Sequence, residues 1–162
     1  MVLDACEAQK GSLYHFFPGG KDELIAAVVE GISAEATADL KDCIHKAGVL
    51  SQAIELHLLH LIERFDRPVS EVGLPFLAMA TTLGATNERV RLACMKAIQM
   101  LESTYREQLL KEGHGCDSAE SLATFLVLAV DGAILLARSR DNSGPLKTAS
   151  KQLASMLSVG SA

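Results

Sequence analysis

Residues 10–24 read KGSLYHFFPGGKDEL, and the division of the rest of the chain follows from this stretch. A short segment with polar groups early and aromatics late meets a Pro-Gly-Gly break, and Lys21, Asp22 and Glu23 then open a long apolar-periodic run. The pattern predicts a small helix, a hard stop and a long helix. Lys10, Gly11 and Ser12 fall in the first turn of the small helix, where free backbone N–H groups favour phosphate oxygens. Tyr14 and His15 add a phenol and an imidazole one turn later.

The 162 residues suit one domain, with room for a small appendage, and can bury a real core. Aromatics are scarce, Trp is absent, and Ala, Leu and Val dominate, which favours helices and predicts an all-α protein. With 15 basic against 20 acidic residues the net charge is −5, which excludes nucleic-acid binding over the whole surface but leaves room for a small footprint. In residues 1–30 that footprint is weak, since Lys10 and Lys21 face Asp4, Glu7, Asp22, Glu23 and Glu30. Cys6, Cys43, Cys94 and Cys116 are scattered, no pair is Cys-x-x-Cys, and no charged apolar leader precedes them, so free thiols in a reducing cytoplasm are expected. The apolar run Leu122 to Ala137 is sixteen residues long and interrupted by Asp131 and Gly132. It falls short of the ~20 residues a bilayer requires, so no membrane association is expected.

Periodicity divides the remainder into helices. Leu24, Ala27, Val28, Gly31, Ile32, Ala36 and Leu40 mark a long helix from Lys21 to about Lys46, closed by Ala47 and Gly48. Ser51 to Phe65 follows, with Ile54, His57, Leu58, Leu61 and Phe65 on one face, and Pro68 ends that segment. Pro75 to Leu83 is too uniformly apolar for a wet face and is expected to be buried. Asn87 is placed to cap a helix running from Glu88 to about Lys111. Asp117 or Ser118 starts a helix to about Arg138 that is apolar nearly all round, and Pro145 begins a last one with Leu146, Ala149, Leu153, Met156 and Leu157 on one face.

The opening stretch resembles the end of the helix-turn-helix in TetR-family transcriptional regulators. The likeness is carried by Gly11-Ser12-Leu13-Tyr14, then Phe17, then Lys21 and Leu24, and the Phe17 to Lys21 run resembles one subgroup of the family. The ending from Asp131 to Leu157, DGAILLARSRDNSGPLKTASKQLASML, resembles the same subgroup. The resemblance implies an all-α bundle with a partial helix-turn-helix over residues 1–20 and a ligand-binding and dimerisation domain over 21–162. It implies that Leu13 and Phe17 pack the small domain, while Lys10, Gly11, Ser12, Tyr14, His15 and Lys21 lie at the DNA. It implies a homodimer built on the last two helices, through Leu128, Gly132, Leu135, Leu146, Ala149, Leu153 and Leu157. It also implies a pocket for a small, mainly apolar inducer among the middle helices, for which His57, Phe65, Phe76, Met79, Ile98, Leu101, Tyr105 and Phe125 are the candidates, with His57 and Tyr105 as orienting polar groups. The chain departs from the family at Glu7, where the turn ordinarily holds Gly, and roughly 20 residues of the first two helices are missing. An N-terminal truncation and poor operator binding by the chain as given are therefore expected.

Two constellations suggest other chemistry. His57, His60 and Glu63 at three-residue steps resemble metal ligands along a helix, but they rotate off the apolar stripe and no Cys or Asp group in the sequence pattern completes a shell. No metal or other cofactor is expected there; His57 is assigned to the core or pocket, His60 and Glu63 to a solvated edge. His114-Gly115-Cys116 pairs an imidazole with a thiol, but without an orienting group or oxyanion device, so no enzyme activity is expected. The leading expectation is a ligand-responsive dimeric repressor, and the alternative is a ligand-binding dimer that has lost DNA binding through truncation.

Overall fold

After the Pro-Gly-Gly break the chain does turn into a long helix. The computed structural model describes residues 17–67 and 75–159. Helix α1 is Lys21–Ala47, with Asp22 and Glu23 in its first turn and His45 and Lys46 in its last, the arrangement the helix dipole favours. Gly48 ends it at φ 78°, a left-handed conformation that glycine adopts without steric cost, and its N–H reaches the Ile44 carbonyl at 2.9 Å. Helix α2 is Leu50–Phe65, α3 is Phe76–Thr82 continued by a 3-10 turn at Leu83–Ala85, and α4 is Glu88–Lys111. The Asn87 side chain accepts a hydrogen bond from the Val90 N–H at 3.1 Å and caps α4 as its position predicts. Helix α5 is Cys116–Arg140 and α6 is Gly144–Val159. The described residues are all-α, without strands.

Helix α1 packs on α4, α2 on α6, α5 between α4 and α6, and α3 on α4. The core they enclose includes Val29, Leu40, Leu50, Ile54, Leu58, Leu109, Leu126 and Leu146, all fully buried. The turn between α1 and α2 is held from a distance. Glu112 Oε1, just past α4, accepts from the Leu50 N–H at 2.6 Å and from Gln108 Nε2 at 2.7 Å, and Gln108 Nε2 also donates to the Gly48 carbonyl at 3.1 Å. One carboxylate thus satisfies a free amide at the start of α2 and joins it to the end of α4.

Three expectations are corrected. Of α3 only Phe76 is buried; Thr81, Thr82 and Leu83 are exposed, because the helix lies against the outside of the bundle and the threonine hydroxyls turn back onto the Leu77 and Ala78 carbonyls. Leu146, Leu153 and Leu157 are buried within the subunit, since the apolar face of α6 covers α2 and α5, and Ala149 is half-buried beside them. Helix α5 outruns its sixteen-residue apolar core, and by length and composition alone it could cross a bilayer, with mean hydropathy 1.8 over eighteen residues. Its packing against α4 and α6, and a buried Asp131 at its middle, make it a central helix of the bundle.

Candidate functional site

Asp39 and Cys43 stand one turn apart on α1, and His57 and His60 one turn apart on α2, so each pair projects from a single face toward the other helix. Asp39 holds both imidazoles. His57 Nδ1 lies 2.8 Å from Asp39 Oδ2, and His60 Nδ1 lies 2.8 Å from Asp39 Oδ1. The Cys43 sulfur is 3.7 Å from His60 Nδ1. Burial alone would raise the Asp39 pKa, but the two imidazole hydrogen bonds and the accompanying charge interactions outweigh it and pull it down to about 2. The Cys43 thiol is pushed up to about 11, by burial first and then by the Asp39 and Asp42 carboxylates. His57, His60 and Glu63 share a helix face in sequence; in the fold Glu63 is exposed, and His60, part-exposed at the edge, is also held by Asp39.

Asp39 and His57 also wall a cavity of about 110 Å³. Ile32, Glu35 and Ala36 continue the wall along α1, Leu61 and Arg64 along α2, Phe76 on α3, Leu101 and Tyr105 on α4, and Val130, Asp131 and Ile134 on α5. The surface is mainly apolar with a few polar groups converging, the usual character of a small-molecule site. At the α5 side Asp131 Oδ1 accepts from the Phe76 N–H at 2.7 Å and Oδ2 from the Leu77 N–H at 3.1 Å. These bonds satisfy the first amides of α3, which has no capping side chain of its own. Burial raises the Asp131 pKa against the lowering effect of the two amides. The Tyr105 phenol is 1% exposed, and burial pushes its pKa well above the ordinary range. Arg64 Nη2 closes part of the rim by pairing with Glu35 Oε1 at 3.1 Å.

Of the expected pocket residues, His57, Phe76, Leu101 and Tyr105 line the cavity. Ile98 is buried in the core away from it, and Phe65 and Met79 are half-buried against the core. Phe125 does not face inward: it is 46% exposed, on the side of α5 opposite Asp131 and Ile134. Sequence reading missed Asp39, Arg64 and Asp131. Only the i, i+4 spacing of Asp39 and Cys43, matched to His57 and His60, could have hinted at the first of them.

Lys10, Gly11, Ser12, Tyr14 and His15 lie outside the described residues. Lys21 is exposed at the first position of α1. Just before it, the Gly19 N–H donates to Glu23 Oε2 at 2.6 Å, and that oxygen lies 3.6 Å from Arg89 Nη1, which ties the start of α1 to the start of α4. Leu128 and Leu135 are about half exposed and Gly132 is exposed, and with Phe125 and Leu136 they form one apolar stripe along the outside of α5. A Cβ added at Gly132 would meet nothing within 4 Å in the subunit. Cys116 is exposed at the first position of α5, in the turn that also carries His114.

Residues 51–152 match the family model described as the C-terminal domain of LmrA/YxaF-like transcriptional regulators. The HTH-type transcriptional regulator LmrA of Bacillus subtilis is 30% identical over 90% of this chain and 77% of its own length. YxaF of the same organism, named an uncharacterized HTH-type transcriptional regulator, is 28% identical over 94% of the chain and 80% of its own. The crystal structure of a TetR transcriptional regulator from Legionella pneumophila superimposes with a TM-score of 0.79 over 96% of this chain and 83% of that one, at 18% identity, which shows the common fold. The chain belongs to the TetR family of transcriptional regulators and carries its LmrA/YxaF-like C-terminal domain.

Proposed function

We propose that the protein is a ligand-responsive repressor that acts in the cytoplasm as a homodimer, binds operator DNA through the segment preceding α1, and is released by a small, mainly apolar inducer taken into the cavity. The observation that carries this reading is that α1 serves two places at once. Its residues 32–39 form a wall of the cavity, and its first residue, Lys21, directly follows the segment assigned to DNA. A ligand that fits the cavity better in one tilt of α1 than in another shifts the population of that tilt, and it does so only by its difference in affinity for the two. At about 110 Å³ the cavity is smaller than the ~150 Å³ that holds one benzene ring, so any larger inducer has to move a wall to enter. His57, Tyr105 and Asp131 are the groups that orient it.

The outer stripe of α5 supplies the dimer face. Phe125, Leu128, Leu135 and Leu136 exposed together around Gly132 form the kind of contiguous apolar surface that a second subunit covers, and a two-fold axis lets one stripe meet its own copy.

The test is operator binding by gel shift, with and without small aromatic candidates, for the wild type and for Leu101→Trp. Filling the cavity should leave operator binding intact and abolish release by a compound that releases the wild type. Equal release of both would place the inducer elsewhere. Sedimentation of Leu128→Glu examines the dimer: a monomer at micromolar concentration is expected, and an unchanged dimer would move the interface off α5.

A further inference from the structure

We propose that Asp39, Cys43, His57 and His60 form a binding site for a divalent transition metal of the zinc class. Two ligands one turn apart on each of two facing helices is how helical bundles build metal sites from side chains that all point inward. The donor set is one thiol, two imidazoles and one carboxylate. Sulfur and nitrogen donors of this kind suit zinc, cobalt or nickel and are a poor choice for magnesium or calcium, which take oxygen.

The distances suit three of the ligands with a small adjustment and ask a side-chain movement of the fourth, His60. A tetrahedral ion with Zn–N and Zn–O near 2.1 Å and Zn–S near 2.3 Å sets its ligand atoms about 3.4–3.6 Å apart. The Cys43 sulfur and His60 Nδ1 are already 3.7 Å apart. The ligand atoms of Asp39, Cys43 and His57 all lie within 4.8 Å of one another, and His60, outside that group, has to swing toward them to serve as the fourth ligand. The two imidazole–carboxylate separations, each 2.8 Å, have to open by about 0.6 Å, as they must when a metal replaces the hydrogen bonds that now join those atoms. The Cys43 thiol gives up its proton to solvent on binding, and the Nδ1 protons leave or move to Nε2. The ion has a way in, because the His60 side chain is 27% exposed and that of Asp39 15%, whereas His57 is only 5% exposed and forms the floor.

The same contacts without metal are a satisfied polar network that aligns α1 with α2, and the experiment separates the two roles. It does not rest on the regulatory reading, since it needs neither DNA nor inducer. The full chain is stripped with a chelator and titrated with Co²⁺. A thiolate-to-cobalt charge-transfer band in the near ultraviolet, together with intense visible bands of a four-coordinate ion, should saturate at about one cobalt per chain and be displaced by Zn²⁺. Cys43→Ser should lose the charge-transfer band. His60→Gln, at the part-exposed edge where folding is least at risk, should weaken cobalt binding by about tenfold or more. Circular dichroism in the presence of chelator checks that each variant is folded, and His60→Gln decides if Cys43→Ser is not. No charge-transfer band in the wild type, or an unchanged cobalt affinity in folded His60→Gln, would overturn the proposal and leave the four side chains as a helix-aligning network.

Discussion

Asp39 and Asp131 are two carboxylates on the wall of one cavity, and their surroundings drive them in opposite directions. Asp39 receives hydrogen bonds from two imidazoles and is pulled down to about 2, against the pull of burial. Asp131 is buried more deeply with two backbone amides for partners, and there burial wins and its pKa rises. Depth alone does not set the charge of a buried acid; the difference comes from how much its partners return of the hydration it has lost. Asp39 works as the hub of a polar seam between α1 and α2, whereas Asp131 does the task of an N-cap for a helix more than fifty positions away in sequence.

The strongest way to break this comparison is to remove Asp131. Asp131→Ala leaves the Phe76 and Leu77 amides without their acceptor and should cost about 2–4 kcal/mol in urea unfolding, the range for orphaning buried donors and losing a helix cap together. A cost under about 1 kcal/mol would mean that those amides find other partners easily. Asp39→Asn keeps an acceptor for one ring but removes the charge, so a smaller loss of about 1–2 kcal/mol is expected from the same measurement.

Acid titration sharpens the contrast. Asp39 has a folded pKa near 2, below the unfolded value of about 3.9, so its stabilisation is present above pH ~4 and is lost as the pH falls toward 2. Partial exposure to solvent holds that contribution to about 1–2 kcal/mol. The raised pKa of Asp131 has the opposite sign: its contribution is complete below the unfolded value and is lost as pH rises through the folded one. The gap in stability between wild type and Asp39→Asn should therefore narrow between pH 4 and 2, and Asp131→Asn should steepen the acid loss of the wild type. Parallel pH curves for all three proteins would show that the two acids do not differ as described.

The smallest effect is expected next door to Asp131. Gly132 sits in mid-helix with open space around its missing side chain, so Gly132→Ala should stabilise the isolated subunit by up to about 1 kcal/mol. If two copies of α5 approach closely at that point, the same change should weaken the dimer, and comparing thermal midpoints at high and low protein concentration separates the two effects.

The signals that were legible in the sequence are local ones. Gly48, Asn87 and the Pro18-Gly19-Gly20 break act on backbone within a few residues, and among the described residues the helix boundaries they announced, at Lys21, Ala47 and Glu88, fall within about a turn of their place. The apolar stripe Leu146, Leu153, Leu157 told that this face is covered but not by what, and α2 of the same subunit covers it. Phe125 was misplaced for a related reason: a helix that is apolar all round gives no sign of which side faces the cavity. Asp131 read as an interruption of an apolar run, because its partners, the Phe76 and Leu77 amides, are backbone groups that no side-chain pattern displays. The pairing of Asp39 with His57 and His60 required knowing how α1 and α2 face each other, a tertiary fact.

The Glu112 clamp at the head of α2 gives that helix the mechanics of a lever. Its first residue is pinned through Leu50, and its other end, fifteen residues on, borders the cavity at Leu61 and Arg64. At 1.5 Å per residue the arm is about 24 Å long, so a swing of about 5° about the pinned end displaces the far end by about 2 Å, while His57, nearly halfway along, travels about 1 Å. Of the two imidazoles on Asp39, His57 therefore moves less than His60, which stands beside Leu61 toward the tip. The cavity can widen at Leu61 and Arg64 while Asp39 keeps hold of its nearer imidazole.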